Sequence, residues 1–118
     1  MSQIIKLPLP PSFNRYYARG KFITKIGKEY RMQVITAINR QNAVFKANIP
    51  LSLEIVVNYP EDGDLDNFTN TKGLFDALTH ANVWQDDKLI KQFLVTTGIH
   101  CKKREEGSIL LTIKPYEQ

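Results

Sequence analysis

Apolar and polar positions divide this 118-residue chain into short segments of changing period. Ile4 to Leu7 is a short apolar strand, stopped by Pro8, Pro10 and Pro11, which exclude a helix interior or a central strand there. Asn14 to Thr24 sets aromatic and β-branched arms around a turn containing Gly20, which predicts a hairpin. Helical spacing starts after Thr24, a suitable N-cap: Ile26, Tyr30, Val34, Ala37, Ile38 and Gln41 share one face, predicting a helix over 25–44. Residues 51–59 alternate, with Leu53, Ile55, Val57 and Tyr59 on the buried face of a strand that Pro60 to Gly63 breaks. Helical spacing returns over 68–80, with Phe68, Leu74, Phe75 and Leu78 apolar. Residues 90–99 read as a strand, and 109–113 as a last strand able to pair back on it as a hairpin. This order predicts a single α+β domain over 1–118: a small mixed β-sheet with two helices packed on it and a basic N-terminal hairpin.

Composition narrows the class without changing that picture. Apolar and charged fractions of 42% and 24% are those of an ordinary globular chain, which argues against disorder. Residues 1–6 lack the apolar run of a signal peptide, and no stretch reaches membrane-spanning length, so a cytoplasmic setting is expected. Cys101 is the one cysteine, which excludes an internal disulfide and zinc ribbons. The net charge of +4 hides an asymmetry. Residues 1–49 hold nine basic residues against Glu29 alone, while residues 50–118 hold seven basic and eleven acidic. Such a division suits an enzyme that attracts a polyanion with one part and holds cations with the other, although a solvated basic face has the same composition.

The chemistry concentrates at Asp64-Leu65-Asp66-Asn67 and at Asp86-Asp87. Crowded carboxylates repel one another, and a bound divalent ion such as Mg²⁺ relieves them. In an extended segment Asp64 and Asp66 face one side and could share an ion. An EF-hand is excluded, because its required glycine and its final glutamate are replaced by Asn67 and Gly73. Helix capping by Asp66 or Asn67, and a plain turn at Asp86-Asp87, remain alternatives. In the basic hairpin, Asn14, Arg15, Tyr17, Arg19, Lys21 and Lys25 are the residues expected to meet nucleic acid: cations for phosphates, and tyrosine for a base or for the core. His80, His100 and Cys101 form no recognisable triad or zinc set.

The ordered set Asp64-Leu65-Asp66-Asn67, Lys72, Phe75-Asp76-Ala77-Leu78-Thr79, Trp84 and Asp86-Asp87 resembles the RusA family of Holliday junction resolvases. Leu7 to Ser12, Asn14 to Tyr17 and Tyr30-Arg31 are similar to that family's opening and first helix, so the resemblance runs from Leu7 to Ile113. It implies a homodimeric, Mg²⁺-dependent endodeoxyribonuclease (with Mn²⁺ as a substitute) that cuts four-way DNA junctions at paired sites and needs no small-molecule cofactor. It further implies that Asp64, Asp66 and Asp87 hold the metal, with Asp86 beside them, and that Lys72 is the active-site lysine. Other branched nucleic acids, or binding without cleavage, are the alternative readings. Two departures stand out. Lys72 lies six residues after Asp66, where family members place it four after. If the extra residues loop out, with Thr69 or Asn70 capping the helix, Lys72 takes the family's place; a helix beginning at Phe68 would turn it away by about 200°. Glu61-Asp62-Gly63 also stands where some members carry arginines, so the phosphate grip must come from elsewhere.

Overall fold

The computed structural model describes residues 3–19, 21–41, 47–60, 63 and 65–117, with Asp66 and Asn67 described by backbone alone. Six strands and three helices are found among them: β1 (Gln3–Leu7), α1 (Phe13–Tyr16), β2 (Tyr17–Ala18), β3 (Phe22–Ile23), α2 (Lys25–Arg40), β4 (Leu51–Asn58), α3 (Thr71–His80), β5 (Ile90–Thr97) and β6 (Ser108–Pro115). Short 3₁₀ turns at Leu65–Phe68, Asp87–Leu89 and Arg104–Glu106 punctuate the connections. The main sheet has the order β1-β6-β4-β5, and β2 pairs with β3 as a separate ribbon. Its one parallel pair is β4 with β5, from Leu51↔Ile90 to Val57↔Thr97; β6 runs antiparallel to both β1 and β4. The mixed sheet with two longer helices is the expected α+β fold.

The expected hairpin between the last two strands does not form. β6 lies between β1 and β4, and β5 pairs on the far side of β4. Burial explains the order. β6 inserts Ile109, Leu111 and Ile113 into the core and so takes a central place, whereas Phe93 and Leu94 of β5 stay 47% and 58% exposed, as at an edge. The connection over residues 98–107 is long enough to cross β4.

The basic hairpin is also shorter than its aromatic content suggested. Its first arm begins as helix α1, in which the Arg15 and Tyr16 N–H groups both bond the Ser12 carbonyl, at 3.0 and 2.9 Å. Consecutive strand residues point to opposite faces, so a straight arm could not bury both Tyr16 and Tyr17. A helical turn followed by extended chain does, and both rings are in the core. Thr24 caps α2 as expected, accepting from the Gly27 N–H at 3.1 Å. α2 ends at Arg40; residues 42–44 of the predicted helix lie outside the described residues. Its buried face, Gly27, Tyr30, Val34 and Ile38, packs against β1 and α3.

Candidate active site and nucleic-acid surface

The helix carrying Lys72 begins at Thr71, not at Phe68. Leu65–Phe68 makes a 3₁₀ turn, Thr69 and Asn70 separate it from α3, and Asn70 caps α3 by accepting the Gly73 N–H on Oδ1 at 3.0 Å. The Asn70 side-chain amide, buried, donates in turn to the Pro11 carbonyl at 3.1 Å. The extra residues therefore loop out ahead of the helix, with Asn70 as the cap. A Cβ on Gly73 would run into the Asn70 side chain and stand 2.9 Å from the Tyr16 ring, so only glycine admits both neighbours. A Cβ on Gly27 of α2 would likewise stand 2.7 Å from the Tyr16 carbonyl oxygen. Tyr16 is thus wedged where α2 and α3 approach each other.

Lys72 is exposed, and its ammonium lies over two rings, 5.0 Å from the centre of Tyr17 and 5.3 Å from that of Phe13. Such cation–π contacts fix the direction of a flexible side chain. One turn further along α3, Asp76 accepts from Arg31 at both carboxylate oxygens, Nε at 2.9 Å and Nη2 at 3.1 Å. The Tyr16 hydroxyl donates to the same carboxylate at 2.6 Å. Burial and this bond push the Tyr16 phenol well above the usual range. Burial, with the charges of Asp76 and Asp87 added, raises Tyr17 to about 12 against the opposing effect of Arg31. For Arg31 itself burial works against the charge, yet its bonds to Asp76 and Tyr16 outweigh that and raise it.

Asp87 opens the 3₁₀ turn after α3, and Asp86 caps that turn through the Lys88 N–H at 2.9 Å. This backbone bond holds the Asp86 carboxyl below the usual carboxylate range. Asp87 is raised instead, by desolvation first and then by Asp86, with Asp76 adding to it. Asp87, Asp76 and Tyr17 are therefore near enough to feel one another, and Tyr17 connects this group to Lys72. Asp64 lies outside the described residues. Asp66 is placed by backbone alone, in the turn that leads into α3. Because β4 and β5 are parallel, β4 ends and β5 begins at opposite ends of the sheet, and α3 spans the distance between the two acidic stretches. Among the described residues no three acidic, histidine or cysteine side chains converge as a ligand set.

Of the residues expected to meet nucleic acid, Asn14, Arg15, Arg19, Lys21 and Lys25 are exposed around α1 and the β2–β3 ribbon. Tyr17 is 8% exposed, its ring against Tyr16 at 4.6 Å and Phe13 at 5.2 Å between centres. Trp84 is buried, donating to the Thr79 hydroxyl at 2.7 Å and edge-on to Phe75, so it closes the end of α3. His100 packs edge-on against Tyr59, and Cys101 bridges to Pro60; neither touches the acidic residues described. Sequence reasoning missed the clamp between Arg31 and Asp76, which are 45 residues apart. Nothing in the spacing of the sequence signals this long-range pair. Sequence reasoning also missed Arg104, which donates to the Pro10 carbonyl at 3.1 Å and stacks 5.3 Å over Phe68, at the end of the Asp66 turn.

A small α+β fold with an exposed lysine and two acidic stretches, one at either end of α3, beside a basic ribbon has the makings of a phosphodiester-cleaving enzyme. The sequence model of the family described as Endodeoxyribonuclease RusA matches residues 8–114, and this chain belongs to that family. A protein named crossover junction endodeoxyribonuclease RusA from Escherichia coli O139:H28 is 36% identical over 114 residues, covering 92% of this chain and 91% of its own. Proteins of the same name from Shigella sonnei and Enterobacteria phage 82 are each 36% identical over 96 residues, covering 77% of this chain and 78% of theirs.

Proposed function

We propose that this chain is an Mg²⁺-dependent endodeoxyribonuclease that resolves four-way DNA junctions by paired nicks, acting as a homodimer. The observation that carries the reading is the relation, over nine-tenths of both chains, to a protein named for crossover junction cleavage. The chain's own chemistry fits it. The donors are carboxylate oxygens, the ligands Mg²⁺ prefers. Asp87, raised by burial and by Asp86, marks negative charge that a cation would relieve. Asp64 and Asp66 would hold the ion together with Asp87, with Asp86 alongside; because α3 separates the two stretches within one chain, the two protomers of the dimer would complete the set between them, and Mn²⁺ could replace the ion. Bound there, the ion would supply an activated water and stabilise charge on the scissile phosphate.

The remaining work falls to the protein. Asn70 sets the start of α3, and the rings of Phe13 and Tyr17 aim the Lys72 ammonium, which would donate to a phosphate oxygen as charge develops there. Arg15, Arg19, Lys21 and Lys25 would grip the backbone of the junction arms, reading branched shape more than base edges. A four-way junction is close to two-fold symmetric, so a C2 dimer would place one site on each of two opposed strands.

The test is incubation of a synthetic mobile junction with the protein and Mg²⁺. Symmetric nicks that ligase reseals are expected, and Asp66→Asn should abolish them while leaving junction binding intact. Intact junction in every condition, with tight binding retained, would make this a non-catalytic branched-DNA binder. Faster cutting of flaps or forks would reassign the substrate.

A further inference from the structure

Arg104 sits where three segments meet. It opens the 3₁₀ turn Arg104–Glu106 between β5 and β6, bonds the Pro10 carbonyl ahead of α1, and lies over Phe68, the residue that closes the Asp66 turn. These contacts fix the plane of the guanidinium, and the bond to Pro10 uses one of its five N–H donors. A groove of about 280 Å³ runs beside it, with Tyr30, Leu9 and Gly107 in its walls and Arg15 on α1 across from Arg104. Burial, and then the Arg15 charge, lower the Arg104 guanidinium, so the two cations stand close enough to repel. Glu29 and Glu105 line the same groove. Among the described residues the ion pairs are Arg31–Asp76 and Lys114–Glu54, so neither glutamate is bridged to either arginine.

Two guanidiniums lining one groove, that of Arg104 partly buried and that of Arg15 exposed, are relieved by an anion between them, as crowded carboxylates are by a cation. A planar fork stacked on an aromatic ring suits a phosphate, which it can meet with two parallel bonds. With two glutamates in the same walls the groove has little net charge, which favours a singly charged diester held in place over a free, more highly charged phosphate.

We propose that Arg104 and Arg15 together form a subsite for one backbone phosphate of the DNA strand that passes the Asp66 turn. This rests on the reading of the chain as a junction enzyme. It goes beyond that reading by bringing into strand binding a residue from the far end of the chain, outside the basic N-terminal half. The subsite fixes the strand's position relative to the turn, so its loss shifts or weakens binding rather than removing a reacting group.

The test measures binding of the whole protein to a fluorescent four-way junction over a salt series, without divalent ions, so that cleavage plays no part. Arg104→Met should weaken binding about tenfold. It should also make the salt dependence shallower by about 0.9, the slope of one phosphate contact. Arg104→Lys should keep the slope but not the full affinity, because the fork is lost. Arg15→Met should add little on top of Arg104→Met, since both serve one phosphate. On junctions carrying single neutral methylphosphonates, one position should cost the wild-type protein affinity and leave Arg104→Met unaffected. An Arg104→Met protein of unchanged melting temperature with an unchanged slope would overturn the proposal. So would one whose loss is the same at every methylphosphonate position, and that result would leave Arg104 as a loop pin. Inorganic phosphate that stabilises wild type but not Arg104→Met, with DNA binding equal in the two, would overturn it in favour of a free-anion site. Arg104-dependent binding by a protein that makes no nicks with Mg²⁺ would sink the catalytic reading alone. Normal nicking by Arg104→Met with an unchanged slope would sink the subsite alone.

Discussion

Asn70→Ala removes two bonds at once, and their sizes can be worked from the structure. The first is the cap on the Gly73 N–H at 3.0 Å, and losing an N-cap side chain costs about 1 kcal/mol. The second is the donor to the Pro11 carbonyl at 3.1 Å. Asn70 and Pro11 are both buried, so that carbonyl loses its partner where water has little access, which costs about 1–3 kcal/mol more. The combined loss is about 2–4 kcal/mol. For a chain of this length the unfolding entropy is about 0.25 kcal/mol/K, so the melting temperature should fall by about 8–16 °C. Asn70→Ser separates the two effects: a hydroxyl still caps the helix by accepting the Gly73 N–H, but it is too short to bond Pro11. That variant should recover the cap's share, about 1 kcal/mol, and no more. Thermal and urea unfolding of the three proteins measure both numbers. Because the cap also fixes where α3 begins, Asn70→Ala should lower the cleavage rate by moving Lys72 from its aromatic seat. An Asn70→Ala protein melting within 2 °C of wild type would show that neither bond holds the start of α3.

Three further outcomes are expected. Arg31→Met leaves the Asp76 carboxylate, 31% exposed, without its cation and should destabilise by about 2 kcal/mol, less than a fully buried pair would cost. Adding Asp76→Asn, which removes the charge but keeps an acceptor for the Tyr16 hydroxyl, should recover part of that loss in urea unfolding, and a double variant weaker than the single would refute the clamp. Tyr17 at about 12, with Tyr16 and Tyr30 raised further by burial, means that the folded state keeps protons the unfolded state gives up above about pH 10. Stability should therefore be complete below pH 10 and fall as pH rises beyond it, with three phenols ionising late in the absorbance titration; full ionisation before unfolding would contradict their burial. Asp87→Asn should raise the melting temperature without metal, by relieving repulsion from Asp86, and abolish the rise with Mg²⁺ that is expected of wild type. An Mg²⁺-induced rise that survives the substitution would remove Asp87 from the ligands.

The elements were legible in the sequence where one face of each had to be buried. The 3.6-residue pattern of Tyr30, Val34 and Ile38, and the alternation of Leu53, Ile55 and Val57, mark faces that the structure buries. Pairing was not legible, because the strand order depends on burial by helices distant in sequence: Ile109 to Ile113 could equally have joined β5. The α1 turn was hidden by residues that favour strands, since two adjacent tyrosines both had to reach the core. For the candidate site, the sequence left two positions open for Lys72, and the Asn70 cap decides between them. Arg104 gave no signal, set among lysines and glutamates in what reads as a solvated loop; its contact with Phe68, thirty-six positions earlier, and its bond to Pro10 distinguish it.

The place of β6 has a consequence for how the protein comes into being. The last strand in chain order is central to the sheet, and β1, the first, has no other partner in it. On a ribosome, β1 must wait until β6 has emerged before it can dock in the sheet. A chain stopped before Ser108 would thus carry the acidic residues on a sheet without its central strand, with β1 and one edge of β4 unpaired.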